Sequence, residues 1–173
     1  MSNRSTVVVG LGANLGAREQ TLRSAVRELE RLTLPGGPFR VSSLYESEPL
    51  GPPQPRYLNA AVLLSTGLEP LALLDELQAI ETAHGRVRRE RWGARTLDLD
   101  LLWREEGEVT LSRLRVPHPE LEHRLFALLP LLDVAPGACR PGGAPWRVVA
   151  ARLDPAGLTR IAGPEWAASA TGL

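Results

Sequence analysis

Between residues 6 and 103 the hydrophobic pattern switches from a period of about two to about 3.6 and back, twice, and few folds accept that order. Residues 6–12, TVVVGLG, read as a first strand, β-branched and then ended by glycine. Over residues 17–32, Leu22, Val26, Leu29 and Leu32 recur at helical spacing, and Pro35, Gly36 and Gly37 follow as a stop. Phe39, Val41, Ser43 and Tyr45 alternate as a strand, a proline-rich loop occupies residues 49–55, and YLNAAVLLST, residues 57–66, reads as a third and central strand. A second helix is predicted over residues 69–84: Pro70 suits its first turn, Leu73, Leu74, Leu77 and Ile80 form its stripe, and Gly85 caps it. Residues 96–103 form the fourth strand, followed by a turn at 105–108 into a hairpin partner at 109–111. Strand, helix, strand, strand, helix, strand is the split βαβ order, so the expected class is α+β: a ferredoxin-like βαββαβ core with an antiparallel sheet, plus an added hairpin. C-terminal helices are predicted at 119–132 and 146–153.

The 173 residues suffice for one domain with a sizeable core, and neither repeats nor linkers divide them. A single domain over residues 1–161 is expected, with the small, polar residues 162–173 as a loose tail. Twenty basic and twenty acidic side chains cancel, so overall charge gives no pull towards nucleic acid or an anionic membrane. The N-terminal MSNRS lacks a signal-peptide layout, and the apolar stretch at 125–132 is too short to cross a bilayer, so a cytoplasmic protein is expected. Cys139 is the single cysteine and has no internal disulfide partner. All twenty basic residues are arginine. Coding bias explains the absence of lysine, but the chemical consequence stands: no Walker-A or Schiff-base lysine exists, and any phosphate must be handled by arginine.

The fourth strand carries the first chemical signal. Leu97, Leu99 and Leu101 alternate with Asp98 and Asp100, so both carboxylates leave one face, roughly 6.5 to 7 Å apart at the backbone. Two readings fit. Arginine salt bridges from Arg95 and its neighbours would neutralise the pair; equally, two carboxylates on one strand suit magnesium held partly by substrate phosphates. The preceding segment GRVRRERWGAR places Arg86, Arg88, Arg89, Arg91 and Arg95 against a lone Glu90. Such a run is usually a solvated surface, but here it leads directly into the paired aspartates, the layout of phosphoryl transfer. Gly85 and Gly93 would let this loop hinge over a nucleotide, and Trp92 would seal it. Tyr57 and Asn59 share a strand face and fit a flat heterocycle with donor and acceptor edges; core packing with Asn59 bonded to backbone fits as well. In VPHPELEHRLF, residues 116–126, His118, Arg124 and Phe126 are further candidates, whereas His84 and His123 read as surface helix positions. GLGANLG, residues 10–16, lacks the third glycine of a dinucleotide fingerprint and reads as a tight strand-to-helix turn.

RWGARTLDLDLL, residues 91–102, resembles the signature of the 6-hydroxymethyl-7,8-dihydropterin pyrophosphokinases of the folate pathway, and GLGANLG, YESEPLG, YLNAAV, IETAHGRVR and VPHPELEHRLF match that family in its order. The resemblance implies a ferredoxin-like fold and transfer of pyrophosphate from ATP to the pterin hydroxymethyl group, releasing AMP. It implies two Mg2+ ions on Asp98 and Asp100, and Arg86 and Arg95 as catalytic arginines. It implies pterin contacts at Ser47, Glu48, Leu50, Tyr57, Asn59, Trp92 and Phe126. ATP contacts are implied at Gln78, Glu81, Arg86, Arg88, Trp92, Arg95, Leu101, Arg113, Arg115, His118 and Arg124. Ala94 stands where the family commonly has proline, and Ser47 where it has threonine. A monomer acting on small molecules, without nucleic acid or membrane, is expected. Two other classes share parts of the pattern: a two-metal nucleotidyltransferase, through the Asp-x-Asp strand, and a ferredoxin-like RNA-binding module, for which two Phe and two Tyr in the chain are few.

Overall fold

The computed structural model describes residues 4–49, 51–85 and 96–168. Strand β1 (Ser5–Ala13) lies between β4 (Tyr57–Thr66) and β5 (Asp98–Arg104), antiparallel to both. β4 pairs in turn with β2 (Phe39–Val41) and β3 (Leu44–Ser47). With β8 (Leu158–Ala162) on the outer side of β3, the sheet order is β5-β1-β4-β3-β8. Near-continuous burial of β1 and β4 follows from apolar cover on both faces over much of their length.

Helices α1 (Arg18–Glu30) and α2 (Pro70–Ala83) cover one face, burying Leu22, Leu29, Leu73 and Leu77 against Val7, Val9, Leu99 and Leu101. Helices α3 (Leu125–Val134) and α4 (Trp146–Ala150) cover part of the other, packing Leu128, Leu131 and Trp146 on Val8, Ala61, Leu63 and Leu102. Alternation along the strands decides which side chain meets which layer. A β-bulge sets Val8 opposite Trp103 and Val9 opposite Leu101, and turns both Leu102 and Trp103 towards α3 and α4.

Four expectations are corrected. The single strand over residues 39–45 is two, because the buried Ser42 hydroxyl accepts the Ala61 N–H at 2.8 Å and donates to the Ser43 carbonyl at 2.7 Å, where a ladder would use backbone. The hairpin does not fold back on β5: β6 (Val109–Thr110) pairs with β7 (Arg115–Val116) in a sheet of its own. The chain leaving β5 stays tied to the start of β1, with the Glu105 N–H on the Thr6 carbonyl and the Thr6 N–H on the Glu106 carboxylate at 2.7 Å. The helix expected from residue 119 begins at Leu125, after a 3-10 turn at Leu121–His123.

The fourth correction concerns the tail expected from residue 162. β8 pairs with β3, and a 3-10 turn at Pro164–Ala167 inserts Trp166, 2% exposed, into the core beneath α1. The Trp166 indole N–H donates to the Ser42 carbonyl at 2.8 Å, and its own carbonyl accepts from Arg23 Nε at 2.8 Å. The chain is therefore packed as far as this residue; 169–173 lie outside the described residues.

Candidate active site

The half of the sheet that α3 and α4 leave uncovered carries the polar residues. In the β4–β1–β5 register, Asn59, Gly12 and Asp98 form one row across the strands, and Ala61, Gly10 and Asp100 the next. Asn59 and Asp98 are thus two strand spacings apart, about 9.6 Å at the backbone, with only a glycine between them. Asp98 and Asp100 share this face while Leu97, Leu99 and Leu101 are buried on the other.

Asn59 is 5% exposed, and its Nδ2 donates to the Ser47 hydroxyl at 2.7 Å. That bond orients the amide and leaves Oδ1 on the Gly12 side, 3.6 Å from where a Cβ would stand. The partner is a side chain, not the backbone considered from sequence. Tyr57, on the same side of β4, is half-buried. Asn59→Ala should weaken binding of a ligand read at this edge by roughly ten- to a hundredfold, because a polar edge is left unpaired, while leaving affinity for the ATP that the resemblance implies nearly unchanged. Titration calorimetry with each ligand checks this, and equal losses for both would count against a specific role.

Asp100 faces His118, with Nε2 to Oδ1 at 4.0 Å. The Glu120 N–H donates to His118 Nδ1 at 3.1 Å, so the neutral ring carries its proton on Nε2, towards the carboxylate. Burial, helped by the Arg124 guanidinium, pushes the His118 pKa below the ordinary histidine value against the upward pull of Asp100 and Glu120. The ring is therefore neutral near pH 7, a donor rather than a second cation. His118 is held by its own N–H on the Leu102 carbonyl at 3.0 Å.

Glu81 lies beneath the carboxylate strand. It is 3% exposed, and its Oε2 accepts the Leu99 N–H at 2.9 Å, the amide midway between Asp98 and Asp100. β5 is an edge strand here, and this carboxylate takes up an outward N–H that would otherwise be buried unpaired. Glu81→Leu should lower stability by about 1–3 kcal/mol, whereas Glu81→Gln, which keeps an acceptor oxygen, should recover most of it. Urea unfolding of both variants distinguishes them; equal loss would show that the amide bond is not what matters.

The other candidates are spread around these two clusters. Phe126, near the start of α3, is half-buried with the Arg124 guanidinium 5.8 Å from its ring centre. Glu48 is exposed and pairs with Arg56 at 2.9 Å. Gln78 is half-buried on α2, and the Leu101 side chain belongs to the core, which leaves its backbone for any ligand. Arg113 bonds Asp75 of α2 at 2.8 Å, tying the β6–β7 connection to that helix, and Arg115 is exposed on β7. His84, read as a surface position, is half-buried: its two ring nitrogens contact the Ile80 carbonyl at 2.8 Å and Ser24 Oγ at 3.1 Å, joining α2 to α1. Leu50, Arg86, Arg88, Trp92 and Arg95, with the arginine loop expected to close over a nucleotide, lie outside the described residues.

Three residues escaped the sequence reading. Gly16 does make the expected turn, with φ +63, but Gly10 and Gly12 are inside β1 and face the site. Asn14, 1% exposed, donates to Gln54 Oε1 at 2.7 Å and to the Pro55 carbonyl at 3.0 Å, anchoring the proline loop to the end of β1. Alternate glycines within a strand were the available signal, since they often mark a close approach by ligand or backbone.

Among the described residues no group of three or more His, Cys, Asp or Glu is placed to hold a metal. The donor set is the pair Asp98 and Asp100, hard oxygen ligands on one strand, which fits Mg2+ completed by phosphate and water oxygens better than an all-protein cage.

Among the described residues this is an antiparallel mixed α/β domain with four α-helices, and the two strand carboxylates and oriented amide on its open face are the groups a transferase needs to move a phosphate-bearing group between small molecules. The chain belongs to the 7,8-dihydro-6-hydroxymethylpterin-pyrophosphokinase (HPPK) family, whose model matches residues 8–136. It is 45% identical over 158 residues to the 2-amino-4-hydroxy-6-hydroxymethyldihydropteridine pyrophosphokinase of Pseudomonas aeruginosa, covering 91% of this chain and 97% of that one. Identity to the enzyme of the same name from Haemophilus influenzae is 43% over 131 residues, covering 75% and 81%. The fold is similar to that of wild-type Plasmodium falciparum HPPK-DHPS with SDX-DHP, with a TM-score of 0.66 at 15% identity. That match covers 86% of this chain and 44% of the other, so the chain spans less than half of that larger protein.

Proposed function

We infer that this chain transfers pyrophosphate from ATP to 6-hydroxymethyl-7,8-dihydropterin in folate biosynthesis. The pterin hydroxymethyl oxygen bonds to the β-phosphorus, the bond from that phosphorus to the oxygen bridging to the α-phosphate breaks, AMP leaves on that oxygen, and the hydroxyl proton is released. The observation that carries the reading is the row Asn59–Gly12–Asp98, which brings a side-chain amide and the first of two strand carboxylates onto one floor. Asn59, held by Ser47, reads the pterin edge, Tyr57 and Phe126 stack on its faces, and Glu48 and Leu50 border it. Two Mg2+ ions on Asp98 and Asp100 would supply charge neutralisation on the phosphates when bound.

His118 offers its Nε2 proton on the phosphate side of Asp100. Arg86, Arg88, Arg95, Arg113, Arg115 and Arg124 bind phosphate oxygens or the nucleotide as planar forks of donors. Gln78 and the Leu101 backbone take the rest of ATP, Glu81 serves them from beneath by fixing β5 through the Leu99 amide, and Trp92 would close the site. The sheet order, with β5 and β4 flanking β1, supports the ferredoxin-like reading of the core. The chain acts as a monomer in the cytoplasm, on small molecules and without nucleic acid; no helix among the described residues is long and apolar enough to cross a membrane.

Incubation with ATP, Mg2+ and the reduced pterin, followed by identification of both products, is the test. AMP together with pterin pyrophosphate is the expected result. Free pyrophosphate with an adenylylated pterin would mean nucleotidyl transfer instead, and no product would remove the assignment.

A further inference from the structure

β1 is the middle strand of the open half of the sheet, and the two of its residues that face the site beside the carboxylates are glycines. They are bare for different reasons. A Cβ at Gly10 would lie 2.9 Å from Leu102 Cδ1, closer than packed atoms come, so Gly10 serves the fold by letting Leu102 seat on the strand. A Cβ at Gly12 would meet nothing nearer than 3.6 Å, ordinary van der Waals contact, and Gly12 is not among the glycines with positive φ. The protein therefore has room for a side chain at position 12, and a strand interior favours alanine over glycine. Packing and backbone conformation leave the bare backbone there unexplained.

What surrounds the missing side chain supplies the explanation. The three nearest atoms are Asn59 Oδ1 at 3.6 Å, Tyr57 Cδ1 at 3.6 Å and Asp98 Cβ at 3.9 Å. A methyl group at this point would stand where the amide, the ring and the first carboxylate converge. We propose that Gly12 is a specificity-determining residue whose bare backbone forms the floor of the slot, admitting a flat heterocycle against Asn59 with its hydroxymethyl arm directed along the strand row towards Asp98. This inference rests on the pterin reading above and extends it. Asn59 and Tyr57 alone read the edge and one face of a ring; the floor at residue 12 decides how deep the ring sits, and so how far its arm reaches towards the phosphates. In that same reading ATP meets the β5 side, at Asp98 and Asp100, and does not need that volume.

The test compares the intact chain with Gly12→Ala and Gly12→Val. Dissociation constants are measured separately for 6-hydroxymethyl-7,8-dihydropterin and for a non-hydrolysable ATP analogue with Mg2+, alongside melting temperature and AMP formation. For Gly12→Ala the melting temperature should be equal to or above wild type, the pterin constant should rise by about tenfold or more, and the ATP-analogue constant should stay within about twofold; Gly12→Val should weaken pterin further. Pterin affinity in Gly12→Ala within about twofold of wild type would overturn the inference, as would equal losses for both ligands. A marked fall in the melting temperature of Gly12→Ala would overturn it too, because the glycine would then serve the fold. These outcomes leave the assigned reaction standing as long as the wild-type chain makes AMP from ATP and the pterin; a wild-type chain that neither binds the pterin nor forms AMP defeats both.

Discussion

Replacing Asp98 or Asp100 by alanine is expected to lower turnover by about two to three powers of ten or more, the scale of losing a principal electrostatic stabiliser, while the fold persists. The two side chains lie on the open face of β5, and their leucine neighbours, not they, hold the strand in the core. Losing either therefore removes little buried surface. Two unit charges at the backbone spacing of residues two apart on a strand, about 7 Å, repel by roughly 0.6 kcal/mol at the dielectric of water and about 2.4 kcal/mol at an effective value of 20, so truncating one also lowers repulsion in the protein without ligand. The loss should fall on the reaction, where charge accumulates on the transferred phosphates. Asn at either position keeps shape and removes charge, so it should be nearly as inactive as alanine. Steady-state rates across a magnesium titration, with melting curves as the folding control, decide the matter. Near wild-type turnover in both alanine variants, with unchanged magnesium dependence, would defeat the metal-site reading.

Trp166→Ala should destabilise the protein by about 3–5 kcal/mol, the usual range for emptying a buried aromatic site. Its ring is 2% exposed and packs in the cluster formed by α1, α2 and the sheet. The substitution also strips a donor from the Ser42 carbonyl, in the same stretch that splits β2 from β3. β8 would lose the anchor that follows it, and β3, which carries Ser47, would lose support on its outer side. For a chain of this length the melting temperature should fall by roughly 10 °C or more. Trp166→Phe, keeping most of the apolar contact but not the N–H, should lose only about 1–2 kcal/mol. A Trp166→Ala protein as stable as wild type would show that the segment after β8 is dispensable.

Much of the fold was legible because its signals are local. The leucine stripes of α1 and α2, the proline in the first turn of α2 and the apolar run of β4 each announce an element within a dozen residues. The carboxylate pair was legible for the same reason: alternation puts Asp98 and Asp100 on one face whatever the partner strand is. β8 was not legible. Its sequence LTRIA has exposed Thr159, Arg160 and Ile161, so no period marks it, and it is a strand only because β3 offers it an unpaired edge. Trp166 looked like one aromatic in a small, polar tail, and burial came from the gap between α1 and the sheet that receives it.

The sequence by itself determined the order of elements, the two-faced carboxylate strand and the family motifs, since periodicity, turn chemistry and motif order are all written along the chain. Only the tertiary structure decided that β6 pairs with β7 and not β5, that Glu81 takes up the Leu99 amide from beneath, and that Gly12 lies between Asn59 and Asp98. Each of those is a contact between residues far apart in sequence. Its partner is chosen by sheet register and by which half of a face the helices leave open, and neither exists until the strands have paired.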